Sequence, residues 1–266
     1  MRNLPNMTEA GLGRAIAALG GDSFETHLNQ WLARCFEIDN TSMIAYFQDR
    51  PPQTLFTRAE EKRVHAHLES SYIQGGAYLL DPFHALHVDR APAGLYRLQD
   101  IAPDQFRRNE YFAVYYQRTT LIDELAYVAS PAEGVSVHVC LGRDETSGRR
   151  FSTRDMEAAS RIAPIVTALI EQHWSALSSS GDFSEKALST RLIAELKAQE
   201  GIALSPRQAE IAMMILQGHS SVSIGLRLGI SPQTVKVIRK QLYRKCAISS
   251  QAELFSLMMP LFSALT

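Results

Sequence analysis

Four times between Leu204 and Met258 a serine stands where a helix has to begin. The stretch reads LSPRQAEIAMMILQGHSSVSIGLRLGISPQTVKVIRKQLYRKCAISSQAELFSLM. A serine hydroxyl accepts a hydrogen bond from an orphaned N–H of the first helical turn, so it marks where a helix starts. Ser205 is followed by Pro206, whose fixed φ suits the first helical position, and by Gln208 at the capping-box spacing. Ile211, Met214, Ile215 and Leu216 then recur at helical intervals, and Gly218 predicts a left-handed stop. Ser220 or Ser221 opens a second, shorter helix that Gly229 ends after Leu228. Ser231 and Pro232 open a third, and Ser250 with Glu253 repeats the capping-box spacing for a fourth. The C-terminal quarter is therefore predicted to be an all-α, four-helix domain.

Only Gly229, Ile230 and Ser231 separate the second helix from the third. Two helices joined by a short glycine-containing turn are the helix-turn-helix arrangement, whose second helix enters the DNA major groove. On the third helix Val235, Ile238, Leu242 and Cys246 share the core-facing stripe. Gln233, Lys236, Val237, Lys240 and Arg244 fall on the outward one. A lysine donates to guanine acceptors, and a valine touches a thymine methyl. Arg239 and Lys245 suit phosphates, which position a helix without reading sequence. Thr234, beside Gln233, completes the candidate DNA-binding set. Residues 201–266 hold seven basic side chains against Glu210 and Glu253, a net +5. The whole chain is −1, which leaves −6 for residues 1–200, so a near-neutral total hides a basic module behind an acidic one.

On these residues the segment resembles the LuxR-type, or GerE-type, helix-turn-helix. The corresponding pieces are LSPRQAEI, ILQGHSS, LGISPQTVK and the following YRK. The resemblance implies base-edge contacts at Lys236, Val237 and Lys240. The chain departs from the family at Gln208, where an acid is common, at Ser221, Val222 and Ser223, where asparagine, lysine and glutamate are common, and at Ile238, where histidine is common. None of these breaks a cap or charges the core.

The 266-residue length suits two domains: 1–175, then a linker and connecting helix over 176–200, then 201–266. Ser175 to Ser184, SALSSSGDFS, reads as the linker, and Glu185 to Glu200 as the helix. Cys35, Cys140 and Cys246 are odd in number and scattered, which fits a reducing cytoplasm and no disulfide framework. The N-terminal segment lacks a continuous apolar run, and no stretch approaches the ~20 apolar residues that span a bilayer. No signal peptide, membrane span or membrane partner is expected, and a cytoplasmic location is.

Upstream, Phe24, Leu28, Trp31, Leu32, Cys35 and Phe36 form a helical stripe. Strands are predicted over Thr41–Phe47, Ala93–Leu98, Glu124–Ala129 and Val135–Leu141, the last two joined by a Pro-Ala-Glu-Gly turn. Helices are predicted over Arg58–Ser71, Asp104–Arg118 and Ser152–Trp174, the last capped by Ser152 with Asp155 at N3. Helices bracketing short, hairpin-linked strands give an α+β domain: an α-β-α sandwich with an antiparallel sheet and helices on both faces. A layered domain of this kind can hold a small molecule between sheet and helices.

The segment YIQGGAYLLDPFHALHVDRAPAGLY is the sharpest signal in that part. It sets Tyr72 before Asp81-Pro82 and Tyr96 after it. An aspartate accepts from a ligand amide or amine, and a tyrosine donates to a ligand carbonyl. In order and spacing this is similar to the autoinducer-binding domain that precedes the same helix-turn-helix in quorum-sensing LuxR proteins. The resemblance implies ligand contacts at Tyr72, Asp81 and Tyr96, and a homodimer. The family's tryptophan for the lactone carbonyl falls at Leu68, and Tyr96 stands where another tryptophan is usual. The expected effector is therefore a small molecule with an N–H or amine donor, sensed by a LuxR solo, with an acyl-homoserine lactone as the alternative.

His65, His67, His84 and His87 predict no metal site, since His65 and His67, two apart, diverge on a helix and no cysteine sits nearby, and no cofactor motif is present. Tyr111, Phe112, Tyr115 and Tyr116 read as core or pocket wall, and Arg118, Asp123 and Glu124 as a solvated loop cluster. No catalytic constellation stands out, so no enzyme is expected. The function implied is a ligand-responsive transcriptional regulator binding a partly palindromic promoter site as a dimer. Alternatives are a constitutive or protein-partnered regulator whose N-terminal domain only dimerises, and a phosphorylation-controlled one, for which the antiparallel strands and missing acidic pair fit poorly.

Overall fold

The computed structural model describes residues 6–180 and 185–265. In chain order the helices are α1 (Asn6–Ala17), α2 (Phe24–Cys35), α3 (Pro82–Val88), α4 (Leu98–Ile101), α5 (Glu110–Val114), α6 (Thr153–His173), α7 (Glu185–Glu200), α8 (Pro206–Gln217), α9 (Ser221–Leu228), α10 (Pro232–Lys245) and α11 (Gln251–Leu265). The strands are β1 (Asn40–Phe47), β2 (Gln53–Ala59), β3 (Gly94–Arg97), β4 (Leu121–Ala132) and β5 (Val135–Asp144). The chain forms two compact units. One comprises Met1–Ala66, Arg90–Asp100 and Thr120–Gly181, and the other His67–Asp89, Ile101–Thr119 and Asp182–Thr266.

The first unit is built on a five-stranded sheet in the order β2-β1-β5-β4-β3, antiparallel at every pairing. Met43 pairs with Val139 and Ala45 with Val137, so alternate residues of β1 and β5 meet on one face. That face closes on Phe24, Leu28 and Leu32 of α2 and on Ile162, Val166 and Ile170 of α6. Tyr127 reaches through it, its hydroxyl donating to the Ala159 carbonyl at 3.0 Å. Ile44, Tyr46, Ala126 and Val128, on the opposite face, are also buried. Burial of both faces explains why Met43–Phe47 of β1 reads as a continuous apolar run, whereas β5 alternates, with buried Ser136 and His138 on the opposite face.

The α+β architecture and antiparallel sheet agree with the sequence reading, as does α6 with its Ser152–Asp155 capping box. Three details differ. Gln53–Ala59 is a strand that the sequence did not predict. It lies at the sheet edge with most side chains partly exposed, so it lacks an alternating apolar signal. Arg58–Ser71 is no single α-helix. Glu61 accepts from Arg63 N at 3.0 Å and starts a 3-10 turn at Lys62–His65, and a π-helical segment follows at Leu68–Gln74. Asp104–Arg118 likewise breaks into a 3-10 turn at Phe106–Arg108, the short α5, and another 3-10 turn from Tyr116. Good helix formers there yield to aromatic packing.

Asp123 is also not solvated. It is buried, pairs with the Arg97 guanidinium and accepts from Phe151 N at 3.1 Å. Nor is the start of the predicted linker loose. Ser180 N donates to Asp49 at 2.9 Å, and Arg50 donates to the Ser178 carbonyl at 2.9 Å, tying it to the β1–β2 turn. Residues 181–184 of that linker lie outside the described residues.

In the second unit, Leu188, Leu192 and Leu196 repeat every fourth residue along α7 and are buried. Helices α8 to α11 follow the four sequence signals, with Ser205, Ser220 and Ser231 as caps and Gly218 and Gly229 as left-handed stops at φ 97° and 64°.

Candidate nucleic-acid interface and ligand cavity

Helix α10 starts where Ser231 accepts from Thr234 N at 3.0 Å. Val235, Leu242 and Cys246 are buried, with Ile238 half-buried beside them. The α9–α10 turn is tight: a Cβ at Gly225 would stand 2.8 Å from the Ile230 carbonyl oxygen. Gln233, Thr234, Lys236, Val237, Lys240 and Arg244 are all exposed, so a single face of α10 gathers them. Val237 leaves 47% of its surface in water amid cations, a placement suited to an apolar base contact.

Two cations differ in role. Arg239 Nε donates to the Tyr243 hydroxyl at 3.1 Å, and its guanidinium lies 5.0 Å from that ring's centre. Lys245 Nζ donates to the Ala203 carbonyl and to Gln208 Oε1, each at 3.0 Å, tying the end of α10 to the start of α8. Gln208 thereby accepts from both Lys245 and Ser205 N, at 3.0 Å each, where the family commonly has an acid.

The turn between α8 and α9 is engaged by residues more than a hundred positions upstream. Gln105 N donates to the Gly218 carbonyl at 2.8 Å, and Asn109 Nδ2 to the Leu216 carbonyl at 3.1 Å. Gly218 is required there by its positive φ and by closeness, since a Cβ would stand 2.8 Å from Phe106 Cα. Asp104 Oδ1 accepts from Ser220 N at 2.9 Å, at the N-terminus of α9. Asp89 pairs with Arg227 of the same helix at 3.4 Å. Burial opposes ionisation of Asp104, but the bonds from Ser220 outweigh it and hold its carboxyl below the usual range. Nothing in the sequence marks these contacts.

Asp81 caps α3, its Oδ1 accepting from Phe83 N at 2.7 Å. Its Oδ2 accepts from the Tyr111 hydroxyl at 3.1 Å, and Tyr72 bonds to the same carboxyl. Burial pushes the Asp81 carboxyl above its ordinary range, and those bonds only partly offset it. Tyr72 and Asp81 are thus brought together, with Tyr111 as a partner the sequence assigned only to core or wall. Tyr115 stacks on both tyrosines, 5.6 Å from each. Tyr96 belongs to the first unit, and its hydroxyl donates to the Pro92 carbonyl at 2.7 Å.

Asp81 lines a cavity of about 100 Å³, with Leu80, His84, Met213, Gln217 and His219 among its walls. One wall therefore comes from the segment around Asp81 and the other from α8 and the α8–α9 turn. His219 bonds to Ser223 Oγ at 2.9 Å, and burial with the nearby Arg227 lowers its ring to about 4, so it is neutral at pH 7. Among the described residues no group of three or more His, Cys, Asp or Glu is placed to hold a metal. Nor, among them, is any helix long and apolar enough to cross a membrane.

Residues 203–258 match the family model GerE, described as bacterial regulatory proteins of the luxR family. The C-terminal segment is a LuxR-family helix-turn-helix domain. A curated protein of Aeromonas salmonicida, "Putative HTH-type transcriptional regulator in exeN 3'region", is 28% identical over 183 residues, 66% of this chain and 92% of that protein. The LBD domain of VqsR from Pseudomonas aeruginosa superposes with a TM-score of 0.53 at 23% identity, covering 65% of this chain and 99% of that one. That likeness establishes the fold of the N-terminal part.

Proposed function

We propose that the protein is a ligand-responsive transcriptional regulator whose α10 enters the major groove. The observation that carries this is the exposed face of Gln233, Lys236, Val237, Lys240 and Arg244 on a LuxR-family domain. Lys236, Val237 and Lys240 read base edges; Arg244, Thr234 and the Tyr243-braced Arg239 contact phosphates. Two copies presenting α10 one helical turn apart read a partly palindromic site.

The ligand response centres on the Asp81 cavity. An ionised carboxylate has about four acceptor positions, and three are taken by Phe83 N, Tyr111 and Tyr72. The remaining one suits an N–H donor such as a small amide or amine. The cavity is smaller than the ~150 Å³ void that holds a benzene, so it admits a group of a few heavy atoms. Because α8 and the α8–α9 turn form its far wall, an occupant there changes the helix-turn-helix support directly. Asp104 is the second half of this reading. The first helix of such a motif crosses the DNA backbone, and a helix N-terminus attracts phosphate. Asp104 takes that place on α9 and gives it up when DNA binds.

Thermal-shift screening of amines, amides and acyl-homoserine lactones tests the ligand half, with Asp81→Asn in parallel. Stabilisation by an amine or amide that Asp81→Asn loses is the expected result. Stabilisation unaffected by Asp81→Asn, or none with any compound, contradicts the assignment. Selection of bound sequences from random duplexes tests the DNA half. The expected product is a two-fold site that Lys240→Ala reads with relaxed discrimination.

A further inference from the structure

The N-terminal two hundred residues are acidic, yet the first unit carries a strongly basic groove. It has a volume of about 560 Å³ and lies between the end of α2, the loop after β5 and the start of α6. Arg34, Arg143, Arg149, Arg150, Arg154 and Arg161 line it. The carboxylates nearby offset only part of this charge. Glu37 is shared between Arg143 at 3.0 Å and Arg149 at 2.8 Å. Asp155 is taken up by the Ser152 capping box and stands 3.9 Å from Arg143. Glu157 alone is left facing Arg34, Arg150, Arg154 and Arg161, which have no ion-pair or hydrogen-bond partner among the described residues.

Arg143 gives the groove a built floor. Its side chain is 4% exposed and bonds Glu37 and Asp39 through its terminal nitrogens, while its buried Nε has no acceptor among the described residues. A buried guanidinium N–H without an acceptor leaves that corner of the groove short of acceptors. Arg154 and Arg161 are seven residues apart on α6 and so share its groove-facing side. Guanidinium forks match phosphate oxygens two at a time. The volume falls within the roughly 300–1,000 Å³ of small-molecule sites. A concave cleft with its deepest arginine almost fully enclosed suits a compact ligand better than a rod-like duplex, which meets protruding cations.

We propose that this groove binds a small anion carrying two or more phosphate groups, of about nucleotide size. It is a site separate from the Asp81 cavity and from α10, and its occupancy adds a second input to the first unit.

Titration calorimetry of the full chain with sodium tripolyphosphate, at about 0.15 M constant ionic strength, tests this. Arg154→Gln/Arg161→Gln and Arg34→Gln/Arg150→Gln are two independent groove variants of exposed side chains. Lys236→Gln/Lys240→Gln controls for the other basic face. The expected result is one site per chain, weakened at least ~10-fold by either groove pair and within ~2-fold of wild type in the lysine pair. No binding by the wild type overturns the proposal, as does affinity that follows the lysines. Groove variants that weaken duplex DNA as strongly as tripolyphosphate also overturn it, because the arginines are then backbone contacts.

Discussion

Helices α8–α11 and the segments His67–Asp89 and Ile101–Thr119 share one compact unit but are put together by opposite means. In the first, serines start the helices and glycines stop α8 and α9, so each helix is specified within a few residues of itself. In the second, the longest α-helix is the seven-residue α3, set among π and 3-10 turns. There the order comes from distant side chains. Tyr111 reaches Asp81, thirty positions away, and Asn109 reaches Leu216, 107 positions away. The contrast separates helices specified by local signals, the proposed reading head, from segments held by distant contacts, the proposed adaptor.

The largest expected effect tests the head. Lys236→Ala with Lys240→Ala removes two outward cations, at about 1–3 kcal/mol each if they read base edges. Anisotropy titrations on a selected duplex then show a loss of roughly a hundredfold or more. A lowered salt slope with equal loss on all sequences reassigns both lysines to phosphates.

Next is the adaptor. Tyr111→Phe leaves the buried Asp81 carboxylate short of a donor and costs about 1–3 kcal/mol in urea unfolding. Combined with Asp81→Asn, the loss is less than the sum of the singles, since both act on one bond. Ser231→Ala costs about 1 kcal/mol and adds fully to Asp81→Asn. Coupling between Ser231 and Asp81 would erase the distinction between local and distant specification.

The acid side of the stability profile sharpens it further. His219 falls to about 4 from 6.5, and His65 in the first unit does the same, both through burial. The folded state favours the neutral rings, so the unfolded chain binds more protons between pH 6.5 and 4. Stability from each is full above 6.5 and falls with pH through that window, by up to about 3 kcal/mol per group. His219→Gln should flatten the urea midpoint between those pH values by its own share and leave that of His65. An unchanged slope would mean that His219 titrates alike folded and unfolded.

The smallest effect is at Gln208. Gln208→Glu keeps the capping box and gives Lys245 an anionic partner, raising stability by about 0.5 kcal/mol in low salt. A lower melting temperature would mean that the amide's second group matters more than charge.

How much was legible follows the same division. The caps, the α9–α10 turn and the exposed face of α10 were readable because each rests on residues within one or two turns. The antiparallel sheet was readable from β1 and β4, which carry apolar runs, and from β5, whose valines alternate with serine and histidine. Edge strand β2 was not, since half-exposed residues blur its period. Tyr72 and Asp81 were picked out by spacing, and the structure joins them. Tyr111 was visible only as an aromatic, and no spacing rule links it to Asp81. Asp104 and Asp89 carried no signal at all, because their meaning depends on α9, more than a hundred residues later.

The most direct measurement is the affinity of the full chain for a short duplex of arbitrary sequence, across a salt series, for wild type and Asp89→Asn/Asp104→Asn. Asparagine at 104 keeps an acceptor for Ser220 and removes the charge. If the adaptor holds α9 away from DNA, the double variant binds about fivefold tighter or more at low salt, with a steeper salt slope. Equal affinity and equal slope in the two proteins would contradict that account.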